Sequence, residues 1–353
     1  MFNIFRNISK FKLPFITSTE IFFDLGTSKT KIGIKDKGVV LNEPTYLGYN
    51  TKNKEYIFFG KEAKSIVGKT PDFLKIIRPV VSGVISDFDA EVALLQKFLQ
   101  QSVDLYFSNS FIKPAIQAIA IVPPIATEIE QKAVEEALLK IGVSSVLLIE
   151  KPLATTAGCG LSVFSHNPNL IIDMGGGIIE ISIVSSGGII AQKTLKTAGD
   201  HMNKLIYNYT YLKYGIILGE ATCETLKIEL LNFSNEEKIS AIRGKSLENG
   251  LPKSVRIKTE DVKEALLTTF NQITDSVKEL IESSPPEILD ELLGKGVILT
   301  GGLSQIKGID RFFANEIKID AYCVENPQNT TINGLIKLSQ NFDQLSKLAV
   351  RYK

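Results

Sequence analysis

Two short turns in this sequence place an aspartate and glycines directly after an apolar run. One is Asp24-Leu25-Gly26-Thr27 and the other is Asp173-Met174-Gly175-Gly176-Gly177. Glycines after a strand let backbone N–H groups approach a phosphate without a side chain in the way. An aspartate at the end of a strand suits a Mg²⁺ ion that keeps several of its waters. We therefore expect the two turns to face each other across a cleft and to hold the phosphates of a nucleotide.

The residues around these turns predict the elements that position them. We expect a strand from residue 20, a turn at 24–28 and one returning strand over 31–40. The same order recurs over 170–185, and another strand and glycine turn follow at 297–302. A single Asp-x-Gly turn is weak evidence, because both residues are common in hairpins. The repetition predicts two related lobes.

Apolar spacing and flanking breakers predict helices between these strands. The predicted helices cover residues 90–105, 129–141, 199–214, 220–231 and 259–282. Thr127 is expected to cap the second of them and Thr259 the last. The polar stretch 234–258, with breaks at Gly244, Gly250 and Pro252, is expected to lead out of a small subdomain.

Length and composition limit the class of protein. A chain of 353 residues exceeds the usual size of one hydrophobic core, so more than one domain is expected. The net charge of +1 provides no overall field for nucleic acid, which we do not expect as a partner. Scattered cysteines without CxxC spacing predict no zinc site and fit a reducing cytoplasm. No apolar run long enough to span a bilayer is present, and we expect no signal peptide.

The first dozen residues have the pattern of an amphipathic helix. One half of this helix is apolar and contains Phe2, Ile4, Phe5, Ile8 and Phe11, opposite Asn3, Arg6, Asn7 and Lys10. Phenylalanines opposite cations are typical of a segment that lies in a membrane surface. The alternatives are a helix that packs on its own domain and a frayed terminus.

Further motifs occur in a fixed order along the chain. They are Leu41-Asn42-Glu43-Pro44, Ile77-Arg78-Pro79, Gly83-Val84-Ile85-Ser86-Asp87-Phe88, Asn109-Ser110-Phe111, Glu150-Lys151-Pro152, Gly199-Asp200, Gly219-Glu220-Ala221-Thr222 and Val297-Ile298-Leu299-Thr300-Gly301-Gly302. Together with the two glycine turns, they resemble the actin, Hsp70 and sugar-kinase superfamily and, within it, MreB, the bacterial actin. The resemblance covers nearly the whole chain.

This resemblance implies an α/β, actin-like fold of two lobes with a nucleotide in the central cleft. Each lobe would have a ribonuclease-H-like core, duplicated between the lobes, and a small subdomain. The implied division is 1–15 for the amphipathic segment, 16–45 and 81–155 with part of 330–353 for subdomain IA, 46–80 for IB, 156–194 and 252–330 for IIA, and 195–251 for IIB.

The resemblance also implies a set of ligand contacts for ATP, or for ADP or GTP, with Mg²⁺. Asp24 would bind Mg²⁺ through water. The implied phosphate contacts are Gly26, Thr27 and Ser28 for the β-phosphate and Gly175, Gly176 and Gly177 for the γ-phosphate. The implied ribose and adenine contacts are Glu224 and Lys227, one helical turn apart, with Gly301 and Gly302 in the adenosine loop. A solvated ion pair is the alternative for Glu224 and Lys227.

The chain departs from the family at the residues that would handle the attacking water. Lys151 stands where MreB carries the glutamate that positions this water, and a lysine offers only donors at neutral pH. Ile178 and Ile179 replace two threonines beside the γ-phosphate. Because a water-orienting group is typically worth ~10² to 10⁴ in rate, we expect very weak or absent ATP hydrolysis. Asp173, or Glu150 with a shifted backbone, leaves residual turnover as an alternative.

Three more residues carry expectations from the resemblance. Lys29 replaces the family's usual Asn beside the first turn, where a phosphate contact and a solvated lysine both stay open. Phe111 and Ile112 match MreB's hydrophobic membrane-touching loop, although two such residues can also tuck into their own domain. With Phe2, Phe5 and Ile8 they would provide weak membrane contacts that a filament multiplies.

The leading hypothesis is a cytoskeletal subunit that polymerises into antiparallel double filaments on the inner face of the cell membrane. It would be cytoplasmic and peripheral, would govern cell shape or motility, and could assemble with other MreB-like subunits. The alternatives are an active, slow MreB-type ATPase or small-molecule kinase, and an actin-fold membrane adaptor that does not polymerise.

Overall fold

The structure, a computed structural model, describes residues 18–107 and 114–350. Its strands are β1 Ser18–Leu25, β2 Lys29–Ile34, β3 Gly38–Pro44, β4 Leu47–Asn50, β5 Glu55–Phe59, β6 Leu74–Ile77, β7 Val80–Val81, β8 Val84–Ile85, β9 Ala115–Val122, β10 Ser145–Glu150, β11 Asn169–Met174, β12 Ile179–Ser185, β13 Gly188–Leu195, β14 Ile216–Ile217, β15 Ile239–Ser246, β16 Pro252–Lys258, β17 Val297–Thr300 and β18 Ala321–Cys323. Its helices are α1 Lys61–Ser65, α2 Phe88–Phe107, α3 Glu128–Lys140, α4 Lys151–Gly158, α5 Gly199–Tyr214, α6 Glu220–Leu230, α7 Thr259–Glu282, α8 Leu289–Lys295, α9 Ile309–Ile317, α10 Thr330–Leu338 and α11 Phe342–Lys347.

Two five-stranded sheets form the centres of the two lobes, and they share one topology. The strand order is β3-β2-β1-β9-β10 in the first sheet and β13-β12-β11-β17-β18 in the second. In each sheet, three consecutive strands pair antiparallel and two later strands add in parallel on the other side. The repeated strand, turn and strand of the sequence therefore correspond to equivalent hairpins, β1–β2 and β11–β12.

Each lobe carries a smaller sheet in addition to its large one. Strands β5-β4-β6 form one, next to α1, and β14-β15-β16 form the other, near α5 and α6. The expected division between residues 251 and 252 falls in the turn between β15 and β16. Because these two strands pair over most of their length, both lie in the small sheet.

Helices α4 and α10 pack against each other and against strands of both large sheets. Their backbones approach so closely that two glycines are required. A Cβ on Gly334 would lie 1.7 Å from the carbonyl oxygen of Ala154, and a Cβ on Gly158 would lie 1.9 Å from that of Thr330. The helix pair thus forms a tight joint between the lobes, since any side chain at these positions would force the helices apart.

The main apolar cores lie between the large sheets and the longer helices. In the first lobe, Phe23 of β1 is buried together with residues of α2 and α3, and in the second lobe Phe270 of α7 is buried with Phe313 of α9. In residues 18–107 and 114–350, no helix is both long and apolar enough to cross a bilayer. The predicted membrane residues Phe2, Phe5, Ile8, Phe111 and Ile112 lie outside these described ranges.

The predicted long helices are confirmed with ends within two residues, and so is the cap at Thr127, whose Oγ1 accepts the backbone N–H of Glu130 at 3.3 Å. The single strand over 31–40 is wrong. A tight turn with Asp36 at φ 61° and Gly38 at φ 78° divides it into β2 and β3, as expected for residues that tolerate the left-handed region.

Two further expectations are wrong in the second lobe. Thr259 does not cap α7, because the carboxylate of Asp261 accepts the backbone N–H of Lys258 at 2.8 Å, while the Thr259 hydroxyl bonds the backbone of Lys238. Gly244 does not interrupt the chain but lies inside β15, paired with β16. Its lack of a side chain fits this position, since a Cβ would lie 2.9 Å from the Ile217 carbonyl oxygen.

Candidate functional site

The two glycine turns lie opposite each other, one from each lobe. A Cβ added to Gly177 would lie 2.1 Å from Oγ1 of Thr27, and one added to Gly176 would lie 2.8 Å from Cβ of Ser28. Thr27 Oγ1 in turn accepts the backbone N–H of Gly83 at 2.8 Å. The glycines thus permit an approach of the two loops that alanine would prevent.

A cavity of about 610 Å³ opens between the lobes beside these turns. The predicted site residues that line it are Asp24, Gly26, Thr27, Ser28, Lys29, Lys151, Asp173, Gly175, Gly176, Gly177, Ile178, Glu224, Lys227, Gly301 and Gly302. The fold therefore brings together the predicted nucleotide, metal and water-handling positions except Ile179 and Glu150, which are not in the lining. Ligand pockets typically fall in the range of about 300 to 1,000 Å³, so a nucleotide fits the size.

The same position in each hairpin carries a charged residue opposite the turn aspartate. In β1–β2, Asp24 pairs in register with Lys31, and in β11–β12, Asp173 pairs with Glu180. Directly opposite residues of an antiparallel pair have neighbouring side chains on one face of the sheet. The Nζ of Lys31 contacts Asp24 Oδ2 at 2.7 Å, so the first aspartate is neutralised within its own hairpin.

The second hairpin instead places two carboxylates side by side, and Lys151 supplies their countercharge. Its Nζ lies 2.8 Å from Asp173 Oδ2 and 2.5 Å from Glu180 Oε2. Burial lowers the pKa of Lys151, but the charges of Asp173, Glu180 and Asp24 together raise it above the ordinary lysine value. Burial also raises the pKa of Glu180, against the effect of the Lys151 ammonium. Lys151 is therefore a fixed cation at the first position of α4.

The two isoleucines beside the second turn have different surroundings. Ile178 lines the cavity and packs toward Gly83, whereas Ile179 is fully buried in the core of the second lobe. Only the Ile178 position therefore faces the cavity directly. Glu150 is half-buried, its pKa is raised by burial, and it is not among the described residues that line the cavity.

The lysines predicted to touch nucleotide differ in their present partners. Lys29 Nζ donates to the amide oxygen of Gln328 at 3.1 Å, and its pKa is lowered by burial and by neighbouring lysines. Lys227 is buried and donates to the Gly199 carbonyl and to Asn203 Oδ1, both at 2.7 Å. Because the backbone N–H of Gly199 bonds the Gly175 carbonyl at 3.3 Å, Lys227 supports the second glycine turn from behind.

Ion pairs join the two small subdomains across the mouth of the cleft. Lys64 of α1 lies 3.0 Å from Glu224 of α6, which was predicted as a ribose or adenine contact. Arg78 contacts Asp200 at the start of α5 and lies 3.2 Å from Glu220 at the start of α6. Protein groups of α1 and of the segment after β6 thus bridge to α5 and α6 of the other lobe.

The residues of the cleft fit a nucleotide, because the glycine turns form a cradle that a Cβ would fill. The carboxylates of the cleft, in contrast, are not free to bind Mg²⁺. Asp24 and Asp173 are each within 2.8 Å of a lysine ammonium, and no group of three His, Cys, Asp or Glu in the described ranges could hold a metal ion. Ammonium and a divalent cation about 4 Å apart repel each other by several kcal/mol at an effective dielectric constant of about 20.

The duplicated hairpins, the central cleft and the helix joint define an actin-like protein. The chain belongs to the MreB/Mbl protein family, which it matches over residues 18–347. It is 34% identical over 331 residues to the cell shape-determining protein Mbl of Bacillus subtilis, covering 93% of this chain and 98% of Mbl. It superimposes with a TM-score of 0.86 on MreB5 of Spiroplasma citri bound to ADP, at 30% identity, covering 92% of this chain and 97% of MreB5. MreB5 bound to AMPPNP matches with the same TM-score and identity, covering 93% of this chain and 97% of that chain.

Sequence reasoning missed several residues that shape this site. The positions of Lys31 and Glu180 opposite the two aspartates follow from hairpin geometry, because the centre of each turn determines which residue faces the aspartate. A register drawn through the first turn would have placed Lys31 opposite Asp24. Lys64 and Arg78 had no such signal, since their partners are more than a hundred residues away along the chain.

Proposed function

We propose that this chain binds ATP or ADP in the central cleft and assembles into filaments that govern cell shape or motility, with ATP hydrolysis very weak or absent. Support for nucleotide binding comes from the glycine cradle and from MreB5, whose solved structures are bound to ADP and AMPPNP. Support for a role in cell shape comes from membership of the MreB/Mbl family. The filament would be antiparallel and double, from a head-to-tail contact that does not close into a ring.

The proposal of very weak or absent ATP hydrolysis rests on one observation, the pairing of Lys151 with Asp173 and Glu180. A water molecule attacking the γ-phosphate needs an acceptor that orients it or takes its proton. The Lys151 ammonium has only donors, and it holds one oxygen of each neighbouring carboxylate at 2.8 Å or less. Ile178 adds an apolar wall to the same part of the cavity. The cleft would therefore retain a triphosphate without cleaving it efficiently.

Phosphate release and electron microscopy on the same samples test this proposal. With ATP and Mg²⁺, the chain should release phosphate at close to the rate of buffer alone. Lys151→Glu, combined with Glu180→Gln so that no third carboxylate is added next to Asp173, should raise that rate. Lys35→Glu is the matched control, because Lys35 pairs with Glu20 in the β1–β2 hairpin but lies outside the cavity lining. Turnover equal to that of an MreB that carries the glutamate at this position, assayed in parallel, would contradict the catalytic part.

Negative-stain images should show double filaments with AMPPNP and with ADP. Filaments absent at every salt concentration and with every nucleotide would contradict the assembly part and favour a non-polymerising adaptor. Addition of another MreB-like chain to the same grids would test whether assembly needs a second subunit.

The proposal also places the filament on the inner face of the cell membrane, through Phe2, Phe5 and Ile8 and through Phe111 and Ile112. Its support is the apolar stripe of the first dozen residues. The chain should sediment with vesicles containing phosphatidylglycerol, and Phe5→Asp should reduce the bound fraction. Asn3→Asp, on the polar half, is the control with the same charge. Equal binding by both variants would contradict this contact.

A further inference from the structure

We propose that the cleft binds its nucleotide without requiring a divalent cation, because Lys31 and Lys151 occupy the carboxylates that would organise Mg²⁺, while Lys29 and Lys227 offer their charges to the phosphates. This inference rests on the proposed nucleotide binding. It concerns which ion, if any, accompanies the nucleotide.

The carboxylates that would organise the metal ion are bound by protein cations. A Mg²⁺ site uses one or two carboxylates, the substrate phosphates and several retained waters. Asp24 and Asp173 are the carboxylates at the ends of β1 and β11, and each directs one oxygen to an ammonium group at 2.7 or 2.8 Å. Each of these carboxylates would have to release its lysine and accept a metal-bound water instead before it could help to hold a metal ion.

These lysines are held in place by the fold. The side chains of Lys31 and Lys151 are 12% and 15% exposed, and those of Asp24, Asp173 and Glu180 are 7%, 10% and 3% exposed. Lys31 stands on a central strand, directly opposite Asp24, and Lys151 begins a helix that packs between the lobes. Neither lysine can withdraw into bulk solvent without leaving a buried carboxylate uncompensated, which is strongly unfavourable.

The lysines of the cavity lining are mostly paired with carboxylates. In the described ranges, five of the seven lysines in the lining, Lys31, Lys64, Lys151, Lys238 and Lys307, lie within 3.3 Å of a carboxylate oxygen. Lys29 and Lys227 donate to uncharged oxygens, so their charges are available to attract the phosphates. The lining therefore offers Lys29 and Lys227 to a triphosphate, whereas Asp24 and Asp173 are already paired with lysines and are not free to organise a metal ion.

A binding experiment in excess MgCl₂ and in excess EDTA tests the inference directly. The probe is AMPPNP, measured by calorimetry on the full chain. We expect the wild-type Kd to change by less than about threefold between the two conditions. For Lys31→Met/Lys151→Met, we expect Kd in EDTA to be at least about tenfold weaker than in MgCl₂, a difference of ~1.4 kcal/mol. Lys35→Met should behave as the wild type, since its ion pair with Glu20 is outside the cavity.

The outcomes separate the two proposals. Binding of AMPPNP by the wild type only in MgCl₂ would overturn the cation inference and leave nucleotide binding intact. No binding in either condition would overturn nucleotide binding itself. A second measurement needs no variant. Mn²⁺ is added to the complex of the wild type with ADP, and its paramagnetic resonance spectrum should be the same as that of Mn²⁺ in a solution that contains ADP but no protein. A broadened, protein-bound spectrum would contradict the inference.

Discussion

Replacing Lys151 by methionine should destabilise the protein far more than replacing a lysine in a similar pair on the surface. The change removes the only cation within contact distance of Asp173 and Glu180 in the described structure, and it leaves two neighbouring carboxylates. Removing one partner of a buried ion pair typically costs about 3–5 kcal/mol. Lys35→Met breaks a pair whose lysine is 41% exposed, for which about 0–1 kcal/mol is expected.

The pH dependence of this loss has a definite sign. Burial raises the pKa of Glu180, and the Lys151 ammonium opposes that rise. In Lys151→Met the pKa of Glu180 should rise further. A carboxyl whose folded pKa exceeds its unfolded pKa contributes stability that is full below the unfolded pKa and is lost as the pH rises through the folded pKa. The deficit of Lys151→Met should therefore be small at acidic pH and grow toward neutral and alkaline pH.

Urea denaturation followed by far-ultraviolet circular dichroism measures this loss, because the chain contains no tryptophan for fluorescence. The unfolding midpoints of wild type, Lys151→Met and Lys35→Met are compared at acidic and at alkaline pH. Glu180→Gln in the Lys151→Met background should recover part of the lost stability, since it removes one of the two stranded charges. Equal midpoints for Lys151→Met and Lys35→Met at alkaline pH, or no recovery by Glu180→Gln, would refute the reasoning.

Two further predictions concern the glycine turn and a buried acid. Gly177→Ala would set a Cβ 2.1 Å from Thr27 Oγ1 and should weaken AMPPNP binding at least about tenfold, ~1.4 kcal/mol by calorimetry. Gly188→Ala should not weaken it, because no atom of the described part of the chain, other than those of its two neighbours in sequence, lies within 4 Å of a Cβ at that position. Glu91 is fully buried, neither of its carboxylate oxygens has a hydrogen-bond partner among the described residues, and burial raises its pKa to about 8. Glu91→Gln should therefore raise the midpoint of thermal unfolding at pH 8 and hardly change it at pH 4.5. An equal rise at both pH values would contradict this assignment.

Local patterns in the sequence were sufficient for much of the fold. The helices that became α5 and α7 were predicted with their observed ends, because apolar spacing and the residues at their boundaries agree. The strand over 31–40 was wrong for a local reason, since Asp36 and Gly38 form a turn that a run of apolar residues on both sides concealed. The small sheet of β15 and β16 escaped prediction because its strands are mostly exposed and Ile257 is the one apolar residue that they bury, which is a weak signal for a strand.

The site was predictable as a set of positions, but its charge balance was not. Motif order identified Asp24, Lys151 and Asp173, and the fold brings them together. That Lys151 contacts Asp173, and that Lys31 neutralises Asp24, depends on the register and on the placement of α4, which are tertiary properties. The roles of these residues toward nucleotide remain predictions.

The ion pairs across the cleft limit what a nucleotide can change. A ligand shifts a conformational equilibrium only by the difference in its affinity for the two states. Lys64 pairs with Glu224 and Arg78 with Asp200, so protein groups contribute to holding the lobes together. The phosphates can add only what they gain by contacting both glycine turns at once. Under the proposed function, the presence of a triphosphate, more than its cleavage, would be the variable that the cleft reports. Lys151, which stands where the resemblance to MreB implies the water-orienting glutamate, pairs instead with Asp173 and Glu180.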